Sequence, residues 1–540
     1  MNQLKLWGLA SLSGVSLALA WPETGELTAL ILFGLIGLLR VEDEIFKTKK
    51  DSGKKVFAFA YVSFLIFNLI TTWWIYFASP WGAVAAVLFN TLFMAVVFWL
   101  FHMTKKWVGK KEGYIALIIY WIAFEYLHLN WDLSWPWLTL GNVFSNQPEL
   151  VQWYEYTGVL GGTFWILVAN LLFFFFVEQK ISWRKDSFNI HRILPWMLFV
   201  LLPIFWSKSV YKNYPLDKEK EKVKVVLIQP NIDPYHDKFG GMSETEQIDI
   251  MIALSRSKVD EETDLLILPE TAFPSVYWEH QIEELYGTQE LRKIIDDFPQ
   301  LRIIVGLASS VLIPEGDNLP ATAAPFRDGY YYENFNTAIQ LEANEDVAIY
   351  HKSKLVLGVE KVPFLKYFPF MQKLSINLGG AAGGFGTDEY PTVFFDENED
   401  EGLAPIICYE SVYGEYVNEY AKRGAALYVI ITNDGWWDNS PGYKQHLAYA
   451  RLRAIEGRKD IIRSANTGIS AIINARGDVV SKTEWWVPDA LEGEANLSYK
   501  ETFYIKHGDY IGRVTSFVAV LLLLLTLVKA LNKTEQKLKM

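Results

Sequence analysis

The hydrophobic positions of the chain gather into long apolar stretches near its two ends. Seven stretches lie within the first 206 residues and an eighth lies near the C-terminus: approximately 4–20, 27–40, 57–76, 82–101, 114–128, 157–177, 193–206 and 511–528. A helix that spans a bilayer needs about 20 mainly apolar residues, so the pattern predicts eight transmembrane helices. The stretch 27–40 is the shortest, and it also fits a re-entrant hairpin with the first.

Residues 1–20 have the length and apolarity of a signal peptide. However, "WPET" follows where a small-residue cleavage site should lie, and another apolar stretch comes directly afterwards. The pattern therefore predicts a retained first helix.

The positive charges between these stretches predict an orientation. Lys and Arg cluster at 47–55, 105–111, 180–185 and 529–539, whereas the alternate loops 22–26, 78–82 and 129–153 contain neither. Loops rich in Lys and Arg stay in the cytoplasm, so both termini are expected there and the region between the seventh and eighth helices is expected outside. This predicts three parts: a seven-helix membrane domain over 1–206, an extracytoplasmic catalytic domain over 207–508, and an eighth helix with a basic cytoplasmic tail over 509–540.

The central region shows a second pattern, in which short, uniformly apolar runs are separated by amphipathic segments. Such runs are typical of strands buried on both faces, and alternation with helices indicates an α/β domain. The predicted strands are 223–229, 264–270, 302–309, 335–342, 403–410, 427–434 and 468–474, and the clearest helices are 244–259 and 443–460.

Composition supports a chain that is part membrane bundle and part folded domain. Hydrophobic residues make up 51% and charged residues 21%. The net charge of −12 argues against binding to nucleic acid, whose phosphates need a basic face. The sequence contains no HExxH motif and no paired CxxC motif, so neither a metal nor another cofactor is predicted.

Candidate chemistry centres on Cys408, the single cysteine of the chain. One cysteine cannot form an internal disulfide, so Cys408 is either an inert buried residue or a nucleophile. It ends an apolar run, as do Glu270 and the pair Asn433 and Asp434. Reactive groups collect at such strand ends in α/β sheets. A carboxylate there would accept the thiol proton, and a lysine would stabilise an oxyanion.

Lysines and carboxylates for this role occur in "YHKSKLVLGVEKVPF" (350–364). The eight histidines lie far apart in the sequence, and only His351 and His446 fall in suitable regions. We therefore expect no His–Cys pair. The aromatic segment 362–374 and the tryptophan-rich loop 129–153 are expected at a membrane interface, and the glycine-rich segment 379–386 is expected to be a loop.

Three motifs together resemble the nitrilase superfamily. "LPETAFP", "YHKSKL" and "IICYES" are similar to its glutamate, lysine and cysteine motifs. The resemblance implies an α-β-β-α sandwich with Glu270 as general base, Lys352 rather than Lys354 as the triad lysine, and Cys408 as nucleophile.

A nitrilase-like domain among eight membrane helices resembles one branch, the apolipoprotein N-acyltransferases. "WPWLTLG", "TNDGWW" and "RSANTGISAIINARGDVV" are similar to that branch as well. The resemblance implies supporting catalytic roles for Glu360, Tyr409 and Glu410. The sequence departs from the family at "LGVE" (357–360) and lacks a clear counterpart of the tryptophan that the family places after the first strand. Phe239 is the best match to it, and the resemblance implies that this residue binds substrate.

The branch implies acyl transfer from a membrane phospholipid, through a thioester on Cys408, to the α-amine of a diacylated apolipoprotein. It implies a multi-pass protein of the bacterial inner membrane whose active site faces the periplasm, and we expect a monomer. Two alternatives remain. A membrane-anchored amidase would use the same residues on small amides but would need only one anchor. A transporter would need paired or buried charges in its helices, and the predicted spans show almost none.

Overall fold

A computed structural model describes the chain except at 49–50, 183–189, 217–220, 317–318, 328, 366, 368–383, 397, 399 and 539–540. Most of the segment 362–374 and the first five residues of 379–386 lie outside the described residues. The chain divides into two compact units, Met1–Asn213 with His507–Met540, and Tyr214–Lys506.

Helices dominate the first unit, and five more belong to the second or its edge. The α-helices are α1 Gln3–Ala20, α2 Ile36–Thr48, α3 Ser52–Thr72, α4 Ile75–Ala78, α5 Pro80–Trp107, α6 Lys110–Asn130, α7 Tyr154–Ser182, α8 Ile190–Asn213, α9 Glu244–Arg256, α10 Tyr286–Asp297, α11 Gly414–Lys422, α12 Pro441–Gly457, α13 Phe503–His507 and α14 Tyr510–Leu538. Among the described residues, five helical segments are long and apolar enough to cross a membrane: Ser52–Thr72, Pro80–Trp107, Tyr154–Glu178, Ile193–Asn213 and Tyr510–Gln536.

The predicted span 27–40 is not one helix. A 3₁₀ turn, Thr28–Leu32, is followed by a break before α2 begins at Ile36. Asn170 of α7 satisfies the backbone there, since its side chain accepts a hydrogen bond from the Leu35 amide (2.9 Å) and donates one to the Ile31 carbonyl (2.8 Å). Non-helical backbone at membrane depth is stable only where other groups complete its hydrogen bonds. The region is therefore not a continuous helical span, and the alternative of a re-entrant hairpin with the first stretch stays a prediction.

Buried charges lie in two helices just beyond the predicted spans 27–40 and 82–101, because α2 and α5 extend further than those spans. Glu42 of α2 and Lys105 of α5 are fully buried, and the Lys105 ammonium lies 2.5 Å from a Glu42 carboxylate oxygen. His102 Nδ1 lies 2.7 Å from the other oxygen of Glu42, and the Tyr114 hydroxyl accepts a hydrogen bond from Lys105 (3.0 Å). These side chains pair with one another, as buried charges in a low-dielectric interior must.

The second unit contains two β-sheets. Its strands are β1 Lys222–Gln229, β2 Leu265–Ile267, β3 Phe273–Trp278, β4 Arg302–Pro314, β5 Ala324–Arg327, β6 Tyr330–Leu341, β7 Ala348–His351, β8 Gly402–Ile407, β9 Ala425–Thr432, β10 Ile461–Ala465, β11 Ala471–Ile473, β12 Val479–Lys482 and β13 Asp489–Asn496. One sheet runs β13-β1-β2-β4-β6-β5, with β3 beside β4 and β7 beside β6. The other runs β12-β11-β10-β9-β8.

The two sheets pack face to face, with helices outside. In β1, Val225 and Leu227 point into the core shared with β8 and β9, whereas Val226 and Ile228 point into the core shared with α9 and α10. Alternate residues of a strand face opposite sides, so a strand buried on both faces is uniformly apolar, as the sequence predicted. Helices α11 and α12 cover the outer face of the second sheet. The layers are α-β-β-α, a nitrilase-like α/β fold.

Candidate active site

The ends of strands from both sheets carry the predicted site residues. Glu270 lies shortly after β2, Lys352 directly after β7 and Cys408 directly after β8. Two residues at these turns have left-handed backbone, Thr271 (φ 48°) and Cys408 (φ 49°). Such conformations are costly for residues with a Cβ, and they persist where the surrounding structure enforces them.

Strand β4 approaches the Glu270 turn closely enough to require a glycine. A Cβ on Gly306 would lie 2.7 Å from the Cα of Glu270 and 2.8 Å from the amide nitrogen of Thr271. The Gly306 amide donates to the Pro269 carbonyl (3.2 Å). The missing side chain thus lets the sheet fix the position of Glu270 through its backbone.

Lys352 lies between two carboxylates. Its ammonium is 3.1 Å from Glu270 Oε1 and 2.9 Å from Glu360 Oε1. All three residues are buried. Burial alone would lower the pKa of Lys352, but Glu270 and Glu360 raise that pKa well above its usual value. Lys352 therefore stays protonated at neutral pH. The structure brings Glu270, Lys352 and Glu360 together and leaves Lys354 outside this group.

Two asparagines orient the carboxylates. The side-chain amide of Asn336 donates to Glu270 Oε1 (2.8 Å) and to Glu360 Oε1 (2.9 Å). The backbone amide of Asn433, at the end of β9, donates to Glu270 Oε2 (3.1 Å). Glu270 thus accepts hydrogen bonds on both oxygens, which fixes its rotamer without removing its capacity to accept a proton.

Cys408 is buried at 8% exposure and lies in the field of these charges. Burial and the negative charge of Glu270 raise the pKa of the thiol well above its usual value, against the opposing effect of Lys352. A thiol in this state is protonated at neutral pH. It becomes a nucleophile only when a base takes its proton, and the nearby Glu270 carboxylate is a group that can accept one.

Glu410 ties the Cys408 turn to the segment that carries Lys352. One of its carboxylate oxygens accepts hydrogen bonds from the Tyr350 hydroxyl (2.6 Å) and the Ser353 amide (2.7 Å), and the other accepts from the Ile407 amide (2.8 Å). Burial raises the pKa of Glu410 to about 7. Its contacts make it a positioning residue.

Tyr409 and Phe239, the other two predicted site residues, differ in how far they are buried. Tyr409 is buried, and its ring meets that of Tyr413 edge-on at 5.3 Å. Phe239 is 40% exposed and stacks on Trp436, with ring centroids 6.1 Å apart. Phe239 also lines an 870 Å³ cavity.

The expectation that no histidine lies beside the cysteine is wrong. His446 of α12 is buried, and its Nε2 lies 3.2 Å from the Cys408 carbonyl oxygen and 2.9 Å from Ser411 Oγ. Its Nδ1 lies 2.9 Å from Asp434 Oδ1. Cys408 and Asp434 are 38 and 12 positions away from His446 in the sequence, so no local motif indicates that the three residues meet.

The same network includes Arg463, which pairs with Asp434 Oδ2. Burial would raise the pKa of Asp434, but Arg463 and His446 lower it to about 2. Donor atoms of Cys408, Asp434 and His446 lie within 4.8 Å of one another, a spacing that also suits a metal ion. However, Asp434 Oδ1 already accepts from Thr432 (2.8 Å), and Oδ2 is paired with a guanidinium. The cluster fits a hydrogen-bond network better than a cation site.

The site combines a thiol, a carboxylate and an ammonium, which follow strands β8, β2 and β7 of an α-β-β-α fold. This combination defines a nitrilase-type enzyme. Residues 224–502 match the carbon-nitrogen hydrolase family, and residues 13–172 match the apolipoprotein N-acyltransferase N-terminal domain. The chain belongs to the apolipoprotein N-acyltransferase family.

Individual relatives extend over nearly the whole chain. An apolipoprotein N-acyltransferase of Chlorobaculum tepidum is 31% identical over 530 residues, which cover 96% of each chain. One of Geobacter metallireducens is 28% identical over 517 residues, 93% of this chain and 91% of the relative. Among solved structures, a Nesterenkonia amidase of the nitrilase superfamily is 18% identical and covers 54% of this chain and 96% of its own, with a TM-score of 0.35.

Proposed function

We propose that this protein transfers a fatty-acyl chain from a membrane phospholipid to the N-terminal amine of a diacylated apolipoprotein. The observation that carries the proposal is the buried group of Glu270, Lys352 and Glu360 next to the lone thiol of Cys408. Membership of the apolipoprotein N-acyltransferase family supplies the class of acceptor.

In the first step, Glu270 takes the proton of Cys408 as the sulfur attacks the donor ester carbonyl. The negative charge that develops on the carbonyl oxygen is stabilised by the Lys352 ammonium, with the Tyr409 amide as a second donor. The tetrahedral intermediate then expels the glycerol oxygen, which receives the proton held by Glu270. A lysophospholipid leaves, and the acyl chain remains on Cys408 as a thioester.

In the second step, the neutral amine of the acceptor attacks the thioester carbonyl. Glu270 accepts the proton that the attacking nitrogen loses, and the sulfur leaves as the amide bond forms. The proton on Glu270 then returns to the thiolate. Glu360 keeps Lys352 in place through both steps, since it holds the ammonium at 2.9 Å. The reaction is ping-pong, and the enzyme returns to its starting state.

The membrane placement belongs to the same proposal. Eight crossings, with both termini in the cytoplasm, put the catalytic unit on the periplasmic side of a bacterial inner membrane. Five apolar helices and the family membership support an inner-membrane protein. Donor and acceptor both carry acyl chains, so they reach the enzyme from the bilayer. The monomeric state remains part of the proposal.

The test is intact mass spectrometry of the full-length protein after incubation with phospholipid and no acceptor. We expect a fatty-acyl adduct that maps to Cys408 and disappears when a diacylglyceryl-cysteine peptide is added. Cys408→Ser is the matched control, because it keeps the size of the side chain and should give no thioester. If wild-type protein forms no adduct from phospholipid but hydrolyses small amides, it is the membrane-anchored amidase instead.

A further inference from the structure

A buried lysine outside the triad has no partner for its charge. Lys238 is 3% exposed, yet within the described part of the chain its ammonium forms no hydrogen bond and no ion pair. Desolvation lowers its pKa to about 8, and the nearby charge of Glu270 opposes that shift. A buried cation is costly unless an anion compensates it. An unpaired one in a folded enzyme therefore points to a missing anion.

The backbone around Lys238 is held in place. The side-chain amide of Gln247, from α9, donates to the Lys238 carbonyl (2.9 Å) and to the Met242 carbonyl (3.1 Å). The Lys238 amide donates to the Asp233 carbonyl (2.9 Å). The ammonium is thus presented from a fixed loop, and the position is preorganised for a ligand.

Lys238 lines the 870 Å³ cavity together with Phe239. The lining also contains one carboxylate, Glu244, which accepts a hydrogen bond from Ser275 (2.5 Å), and Ser310 donates to Asn334 (2.5 Å). Much of the remaining wall is apolar, from Met242, Pro274, Val276, Trp278, Phe326 and Tyr332. Glu244 is occupied by Ser275, so Lys238 is the charged group of the lining that is left without a partner among the described residues. A partly apolar cavity with such a cation suits a ligand that is both anionic and lipid-like.

The cavity adjoins the triad through strand β6. Asn334 lines the cavity, and Asn336, two residues later, binds Glu270 and Glu360. Residues two apart in a strand point to the same face, about 7 Å apart. In a glycerophospholipid, the phosphate and the acyl ester are carried by the same three-carbon glycerol. An ester held at Cys408 therefore brings its phosphate within a few bonds of the triad.

We propose that Lys238 binds the phosphodiester of the acyl donor and so makes the enzyme select phospholipids over neutral acyl esters. This inference rests on the proposed acyl transfer and adds a donor subsite to it. The cation holds the phosphate in the cavity while the ester carbonyl lies at Cys408. Because the acceptor amine has no phosphate, Lys238 acts on donor selection in the first step.

The test compares Cys408 acylation by a phospholipid with acylation by a diacylglycerol of the same chains, in full-length Lys238→Met. We expect the phospholipid-to-diacylglycerol rate ratio to fall about tenfold or more, as for loss of one charge pair in a buried site. Lys238→Arg should keep most of the ratio. Lys293→Met, which removes an exposed lysine of α10, is the matched control and should leave the ratio unchanged.

The outcomes separate the two proposals. If wild-type protein forms no acyl adduct from phospholipid, the acyl-transfer proposal itself fails. If the adduct forms and Lys238→Met keeps the wild-type ratio, or loses both donors equally, the phosphate contact is refuted.

A measurement on the wild-type protein covers the case in which the variant does not fold. Reductive methylation of Lys238, followed by peptide mass spectrometry, should slow when soluble glycerophosphocholine, which has no reactive amine, is present. Equal methylation with and without this probe contradicts the contact. Protection by inorganic phosphate alone would assign the lysine to a free-anion site and would also refute the proposal.

Discussion

At the scale of single residues, reactivity depends on how the Cys408 turn is held as well as on the triad. His446 helps to hold this turn, because one ring nitrogen contacts the Cys408 carbonyl and the other contacts Asp434. Asp434 in turn is fixed by Arg463 and Thr432. Through His446 this buried network contacts the backbone carbonyl of the nucleophile. We therefore regard His446 as a positioning residue.

Replacement of His446 by Ala should slow acyl-enzyme formation about 10- to 100-fold, as expected when a buried polar contact worth about 1–3 kcal/mol is lost. The apparent affinity for phospholipid should change little, because His446 does not line the donor cavity. Single-turnover acylation over a range of phospholipid concentrations separates the two quantities. His446→Gln, which keeps a polar group near the Cys408 carbonyl, should recover part of the rate. A weakened affinity with an unchanged maximal rate would contradict the positioning role.

At the scale of elements, the end of β7 and the residue directly after it place three consecutive side chains in three environments. Tyr350 bonds to Glu410, His351 turns to the other side, and Lys352 enters the triad. His351 pairs with Glu279 (2.7 Å) and Asp388 (3.0 Å) and stacks on Phe335. The ion pairs hold β7 against segments far away in the sequence, and thereby hold Lys352.

These ion pairs predict a stability that falls in mild alkali. Burial would lower the pKa of His351, but Asp388 and Glu279 raise it to about 9, from 6.5 in the unfolded chain. A raised pKa stabilises the fold fully below pH 6.5, and this stabilisation is lost as the pH rises through 9. The shift corresponds to roughly 3 kcal/mol.

The measurement is the thermal unfolding midpoint of wild type and His351→Gln between pH 6 and pH 10. The difference between the two proteins should shrink across this interval, since groups common to both cancel. A constant difference would show that His351 is not charged in the folded state.

The same elements show what the sequence could and could not predict. Strands β1 and β9 were predicted because both of their faces are buried, which makes them uniformly apolar. Strands β12 and β13 were missed, since each alternates more buried with more exposed residues and contains polar residues. Glu270 and Cys408 were predicted from their positions at strand ends, and Lys352 from its resemblance to a motif.

Other parts of the site leave no local signal. Asp434, His446 and Arg463 come from three separate elements, and only folding brings them together. Lys238 is one lysine in a polar loop, and its burial is decided by the packing of α9 against that loop. Contacts between residues from separate elements cannot be predicted from the local pattern of a single sequence.

At the scale of the whole molecule, the number of membrane crossings decides where the termini lie. Eight crossings leave both termini on one side, whereas the five apolar helices counted alone are an odd number and would separate them. Glu26 lies in an exposed loop after α1, and Thr534 is exposed near the end of α14. Both arrangements put these two positions on opposite sides, whereas Lys54, exposed at the start of α3, lies on the side of Thr534 only with eight crossings.

Single cysteines at positions 26 and 534, in a Cys408→Ser background, should differ in reaction with an impermeant maleimide on intact spheroplasts. We expect Glu26→Cys to react and Thr534→Cys to react only after lysis. Lys54→Cys, in the first turn of α3, is a third position expected in the cytoplasm and should behave like Thr534→Cys. Labelling of Lys54→Cys on intact spheroplasts, without labelling of Thr534→Cys, would indicate five crossings instead. Labelling of Thr534→Cys in intact cells would contradict the eight-crossing arrangement.

The left-handed backbone of Cys408 has a consequence for the making of the protein. No local preference favours φ near +49° for a cysteine, so this turn forms only when β8, Glu410 and His446 have all assembled around it. The chain has no other thiol. The Cys408 thiol therefore becomes buried only when folding is complete. During synthesis, the fraction of chains whose thiol still reacts with a thiol reagent would equal the fraction that has not yet folded.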